Sequence, residues 1–209
     1  MKISKREQNK ERVITYALES FIQNGIDASK ISEIAEKADL TERTVFRYFD
    51  TKADLVLETV LLFWEKVQSR VYSLYFDQES KKSGIDQIRD ILKGYAQIYF
   101  TYNNELIFIH EAEAYLYRTD KLKFIENKNL LPYESSNAPL AIAIQKGVDD
   151  GSVRTDIDLE NLYYNTFDAL LGLIQKLVIL GDKDEKSQEQ AQKRLSDFCE
   201  IIVKGYCKN

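Results

Sequence analysis

An all-helical fold is predicted by three observations. The 209 residues hold only two prolines, Pro132 and Pro139. Apolar residues recur at spacings of three and four along most of the chain, as one face of a helix requires, and strict alternation is nearly absent. Glycine, serine, threonine or aspartate stands where each such run begins or ends.

The elements follow in order. Val13, Ile14, Ala17, Leu18, Phe21 and Ile22 make the apolar stripe of a first helix, which Gly25 stops in a left-handed conformation. Ser29 is expected to cap a short helix holding Ile31, Ile34, Ala35 and Ala38. Asp39-Leu40 turns the chain, and Thr41 caps a second short helix with Val45, Phe46 and Phe49. Thr51 and Asp54 have the spacing of a capping box and open a long helix. Its stripe reads Val56, Val60, Phe63/Trp64, Val67, Val71 and Leu74. After a polar break a helix of roughly 20 residues carries Ile88, Ile91/Leu92, Tyr95 and Ile98/Tyr99. Asn103-Asn104 breaks it, and the next helix runs from residue 106 to about Phe124. Another spans about Ser136 to Val148 and ends in the turn Asp149-Asp150-Gly151-Ser152. Asp158 caps a helix to Leu180, and a last helix presents Ala191, Leu195, Phe198, Ile202 and Tyr206 on one face.

Composition excludes several classes. Apolar residues at 44% and charged residues at 30% suit a folded, water-soluble chain. The most apolar stretch, Leu159 to Leu180, contains Glu160, Asp168 and Lys176, so no membrane span is expected. The first twelve residues lack the apolar core of a secretory signal. Cys199 and Cys207 lie about 12 Å apart along one helix, too far to bridge, which fits the cytoplasm. Net charge is −5, yet the first 50 residues hold nine Lys/Arg and nine Asp/Glu. The deficit therefore lies wholly in the remainder, which turns the neutral part rather than the acidic part toward DNA. The single histidine, His110, has no partner cysteine or second histidine at metal-ligand spacing, and no phosphate loop, dinucleotide fingerprint or nucleophile elbow occurs. Neither an enzyme, a metal nor a cofactor is expected.

Two short helices joined by a three- or four-residue turn place one helix in a DNA major groove. Residues 29–49 have that form, although a plain helical hairpin shares it. On the second helix Glu42, Arg43, Thr44, Arg47 and Tyr48 point outward. Arginine pairs with guanine edges, and hydroxyls suit phosphate oxygens. Lys52 at the start of the next helix is expected to grip a further phosphate.

The run "ASKISEIAEKADLTERTVFRYFDTKADL" resembles the N-terminal motif of the TetR family of bacterial transcriptional regulators. Ser29, Ile31, Ile34-Ala35, Ala38, Leu40-Thr41, Thr44-Val45, Phe46, Tyr48-Phe49, Lys52 and Leu55 carry the likeness, over about a quarter of the chain. It implies about nine helices, with a helix-turn-helix DNA-binding domain in residues 1–52 and a ligand-binding and dimerisation domain in residues 53–209. It adds Ser29, Thr41 and Phe46 to the DNA-contact candidates. The implied function is a repressor released from a double-stranded operator by a small-molecule inducer. The alternative is a helical, dimeric ligand- or partner-binding protein without DNA. The sequence departs from the family pattern at Asp39, usually glycine; Phe46, usually tyrosine; and Arg43, usually small.

The body offers two further expectations. Tyr95, Tyr99, Phe108, Glu111, Tyr115 and Phe167 are candidate ligand contacts in a region rich in aromatic residues, where core packing is the competing reading. The helix from 159 to 180 is apolar nearly all round and so must be covered on two sides. Its residues Leu162, Leu170, Leu173 and Leu177, with Leu195, Phe198 and Ile202 of the last helix, are the candidate homodimer seam. In the family this pair of helices joins its symmetry mate as a four-helix bundle.

Overall fold

A computed structural model describes residues 4–76, 81–121, 133, 138–181 and 184–208. Nine helices are formed among the described residues: α1 (Lys5–Asn24), α2 (Ile31–Lys37), α3 (Glu42–Tyr48), α4 (Lys52–Tyr75), α5 (Gly84–Ala96), α6 (Asn103–Arg118), α7 (Pro139–Asp149), α8 (Leu159–Leu180) and α9 (Glu185–Tyr206). One further helical turn, Ile98–Thr101, follows α5. Among the described residues there is no strand, only an isolated antiparallel bridge between Val153 and Cys207. The all-helical expectation is met.

Contacts divide the chain into two compact units: residues 1–66 with 104–130, and residues 67–103 with 131–209. The long α4 begins in the first and ends in the second.

In the first unit, α1 starts at a complete capping box. The Ser4 hydroxyl accepts the Glu7 amide at 3.2 Å, and the Glu7 carboxylate accepts the Ser4 amide at 3.0 Å. Val13, Ile14, Ala17, Leu18 and Phe21 are buried, as their stripe predicts, and Gly25 closes the helix with φ of 78°. Phe21 stacks on Phe108 of α6, with ring centroids 5.9 Å apart. Thr51 and Asp54 form the expected box at the start of α4. The α4 stripe is buried through Val71, while Trp64 is half-buried. Leu74, the last residue but one of α4, is 59% exposed.

In the second unit, α5 packs closely on α7 through two glycines. A Cβ on Gly84 would lie 2.1 Å from the Gly147 nitrogen, so only two bare backbones can meet there. The turn after α7 then satisfies α5's first amides. The Asp150 carboxylate accepts the Gly84 N–H at 2.8 Å, and the Ser152 hydroxyl accepts that of Ile85 at 3.2 Å. The turn predicted at residues 149–152 is present, with Gly151 at φ 77°. The helix expected beyond residue 84 loosens at Gln97, whose amide still reaches the Lys93 carbonyl. The break placed at Asn103-Asn104 falls one residue earlier, at Tyr102, whose φ and ψ of −129° and 37° are not helical. Phe124 and Ser136, expected near two helix ends, lie outside the described residues. Asp158 caps α8 by accepting the Asn161 amide at 3.0 Å.

Candidate nucleic-acid interface

Three local features build the α2–α3 pair. Asp39 takes the left-handed conformation (φ 54°) that the turn requires, where the family usually has glycine. The Leu40 N–H donates to the Ala35 carbonyl at 2.9 Å, wrapping the end of α2. Thr41 caps α3 by accepting the Thr44 amide at 3.2 Å. Ile34, Ala35, Val45 and Phe49 are buried, so the opposite side of α3 faces outward. Glu42, Arg43, Phe46 and Arg47 are exposed on it, Phe46 by 42%. A large exposed ring among two arginines suits apolar contact with a thymine methyl or a sugar.

Several candidates are engaged elsewhere. The Thr44 and Thr41 hydroxyls bond one another at 2.9 Å. Tyr48 is half-buried. The nearby Asn9 side chain and the Arg47 and Arg6 cations hold its phenol below the ordinary range despite slight desolvation. The Arg47 guanidinium lies 5.8 Å from the Tyr48 ring centre.

Ser29 and Lys52 both have partners within the chain. Ser29 does not cap α2: its hydroxyl is buried, accepts from Ser20 at 3.0 Å and donates to the Gly25 carbonyl at 2.8 Å. Lys30 occupies the cap position and makes no side-chain cap bond. The Lys52 ammonium turns inward and donates to the carbonyls of Ser29 at 2.7 Å and Asp27 at 3.3 Å. Burial lowers its pKa, opposed by the Asp27 and Glu111 charges. Lys52 therefore ties α4 to the 27–29 loop, with two of its three donors serving backbone carbonyls.

Glu111, a candidate ligand contact, is part of the same scaffold. Its carboxylate accepts the Ile26 N–H at 2.7 Å across 85 positions of sequence. Phe108 is a core ring on Phe21, so neither residue is spare for a ligand in this unit. Tyr115 is half-buried, with its phenol raised chiefly by burial. These three belong to the first unit, whereas Tyr95, Tyr99 and Phe167 belong to the second. There Tyr95 and Phe167 meet edge to face at 5.0 Å. Tyr163, which is not among the candidate ligand contacts, joins Phe167 at 5.1 Å. Its spacing of four from Phe167 was the available signal. The Tyr95 hydroxyl is buried and has no hydrogen-bond partner among the described residues, and burial raises its pKa strongly. Tyr99 is buried against Phe100.

The seam residues divide likewise. Leu170, Leu177 and Leu195 are buried within the single chain. Leu162, Leu173, Phe198 and Ile202 are only half-buried. Leu180 and Ile201, 67% and 63% exposed, lie on the same open sides of α8 and α9. Gly172 and Gly205 face open space there as well.

Among the described residues no group of three or more His, Cys, Asp or Glu side chains is arranged to hold a metal. No described helix is long and apolar enough to cross a membrane.

Comparison with known proteins agrees with this geometry. Residues 13–59 match the family model of bacterial regulatory proteins, tetR family. The HTH-type transcriptional regulator AcrR of Shigella flexneri is 27% identical over 88 residues, which are 41% of this chain and 39% of that protein. The chain thus spans about two fifths of the length of this curated relative. Salmonella enterica GusR shares the fold over 100% of both chains, with a TM-score of 0.69 at 17% identity. A Mesorhizobium loti structure of the TetR family does so over 99% of this chain and 100% of its own, with a TM-score of 0.69 at 18% identity. These two likenesses speak for the fold alone. Residues 13–59 thus match the head of the tetR family of bacterial regulatory proteins, and the chain shares its all-helical fold with these two structures end to end.

Proposed function

We propose that this chain is a homodimeric transcriptional regulator that binds an operator through α3 and releases it when a small-molecule inducer occupies the body. Residues 1–52 would read DNA, and residues 53–209 would supply dimer and ligand contacts. One observation carries the reading: α3 is capped, backed by buried Val45 and Phe49, and shows Arg43, Phe46 and Arg47 outward. A helix so held can enter a major groove without rearranging.

Dimerisation is supported by the apolar side chains that a single chain leaves uncovered. Leu162, Leu173 and Leu180 of α8 with Phe198, Ile201 and Ile202 of α9 form the proposed seam. A stable dimer would bury about 2,000 Å² or more. Release rests on α4, one helix running through both units. A ligand that binds the released state more tightly must lose affinity when operator is present, by the same factor that operator loses when ligand is present. Tyr95, with its unpartnered buried hydroxyl beside Phe167, is the proposed ligand-facing group.

Selection from a random-sequence duplex pool tests the reading. The expected product is a two-fold symmetric site whose half-sites lie about 34 Å apart, one helical turn. Failure to enrich any sequence would overturn sequence-specific DNA binding.

A further inference from the structure

The buried stripe of α1 continues past its apolar part. Counting back from Ala17 and Val13 by helical steps reaches Lys10 and Asn9, then Arg6. The first two already engage the end of α3. Asn9 lies near Tyr48, whose phenol it helps hold below the ordinary range. Lys10 lies 5.4 Å from the centre of the Phe49 ring and pairs with Glu58 at 3.3 Å. Arg6, one turn earlier, is exposed and makes no salt bridge or side-chain hydrogen bond among the described residues. Its neighbour Glu7 is committed to the Ser4 capping box, so the carboxylate nearest in sequence is occupied.

We propose that Arg6 extends the DNA contact of the head beyond the helix-turn-helix, gripping a backbone phosphate beside the groove that α3 enters. This rests on the DNA-binding reading above. A stripe that is apolar where it meets its own chain and cationic where it runs out faces an anionic partner. Tyr48 reports the sign of the local field. Arg47 and Arg6 help lower its phenol, so the same spot favours a phosphate oxygen. The contact adds to the phosphate donors of the head, since two of the three Lys52 donors already serve carbonyls. Guanidinium suits the role through its paired donors.

Fluorescence anisotropy with a fluorescein-labelled duplex of mixed sequence tests this on the full-length chain. Binding is followed between about 50 and 200 mM salt, where counterion release sets the slope. Arg6→Gln should shrink the slope by about one per head and weaken binding about tenfold per dimer at the higher salt. Arg6→Lys should keep the wild-type slope, and Lys204→Gln, an equal loss of charge on α9, should change neither quantity. Arg6→Lys also guards against a frayed helix, because it keeps the charge and an equally good helix former. If Arg6→Gln binds with wild-type slope while Arg47→Ala loses affinity, the inference fails and the DNA reading stands. An Arg6→Lys slope that drops like that of Arg6→Gln would overturn the phosphate contact. Wild-type protein that binds no duplex at any salt would overturn both.

Discussion

The two units are held together in different ways. In the first, side chains bond backbone groups far away in sequence: Glu111 to the Ile26 amide, Lys52 to the Ser29 and Asp27 carbonyls. Lys121 and Asp54 pair at 2.7 Å across 67 positions. In the second, such bonds from Asp150 and Ser152 to the first amides of α5 are joined by an aromatic cluster, in which Tyr95, Phe167 and Tyr163 pack edge to face, and by bare backbone where Gly84 lies against Gly147. Directional bonds fix orientation within a few tenths of an ångström, whereas ring packing stabilises through area and tolerates small shifts. The unit proposed to present α3 to DNA relies on the first kind, and the unit proposed to admit a small molecule adds the second.

Breaking the second kind should cost most. Tyr163→Ala removes a fully buried ring touching several others and should destabilise by about 3–5 kcal/mol. Thermal unfolding would show it, and a melting temperature within a degree of wild type would contradict the aromatic core. Gly84→Val tests the backbone contact. Its Cβ meets backbone, which cannot rotate away, so a loss of about 3 kcal/mol is expected. The mirror change Gly172→Ala, facing open space, should leave monomer packing intact and act only on assembly.

Directional bonds should be cheaper to break and easier to restore. Glu111→Ala leaves the Ile26 amide without its acceptor and should cost about 1–3 kcal/mol. Glu111→Gln keeps a carbonyl oxygen and should recover most of that. If the two variants melt together, the bond contributes nothing. Lys52→Met should lower the melting temperature as well, which a residue serving only phosphate would not do.

The smallest effect is acidic. Burial pushes the Asp54 carboxyl up, but the bonds from Lys121 and Thr51 outweigh it and hold the group below its ordinary value of 3.8. A folded-state pKa below the unfolded one means stability present above about pH 4 and lost as pH falls through the depressed value. Asp54→Asn should flatten stability between about pH 4 and 2 relative to wild type. An unchanged acid limb would mean that the ion pair is screened away by solvent.

The same contrast explains what the sequence could reveal. Caps at Thr41, Thr51 and Asp158, the turn at Asp39 and the apolar stripes are local, and they read correctly from spacing alone. The bonds of Ser29 and Lys52 within the chain were not legible, because each looks outward on its own segment. Their partners, Gly25 and the 27–29 loop, come from tertiary folding. Glu111 stands in an aromatic stretch, and nothing nearby discloses an amide 85 positions away. On α8 periodicity cannot decide which apolar face meets its own chain. Leu170 and Leu177 went inward, while Leu162 and Leu173 stayed partly uncovered.

The central claim is that α3 reads duplex DNA, and a base-preference titration tests it most directly. The probe is the duplex enriched from the random pool, together with copies changed at one base pair per half-site. Arg47→Ala should lose about 1–3 kcal/mol on the enriched duplex and become indifferent at one position, where a guanine edge had paired with the guanidinium. Arg43→Ala and Arg47→Ala combined, binding every copy with wild-type affinity and wild-type preference, would contradict the account.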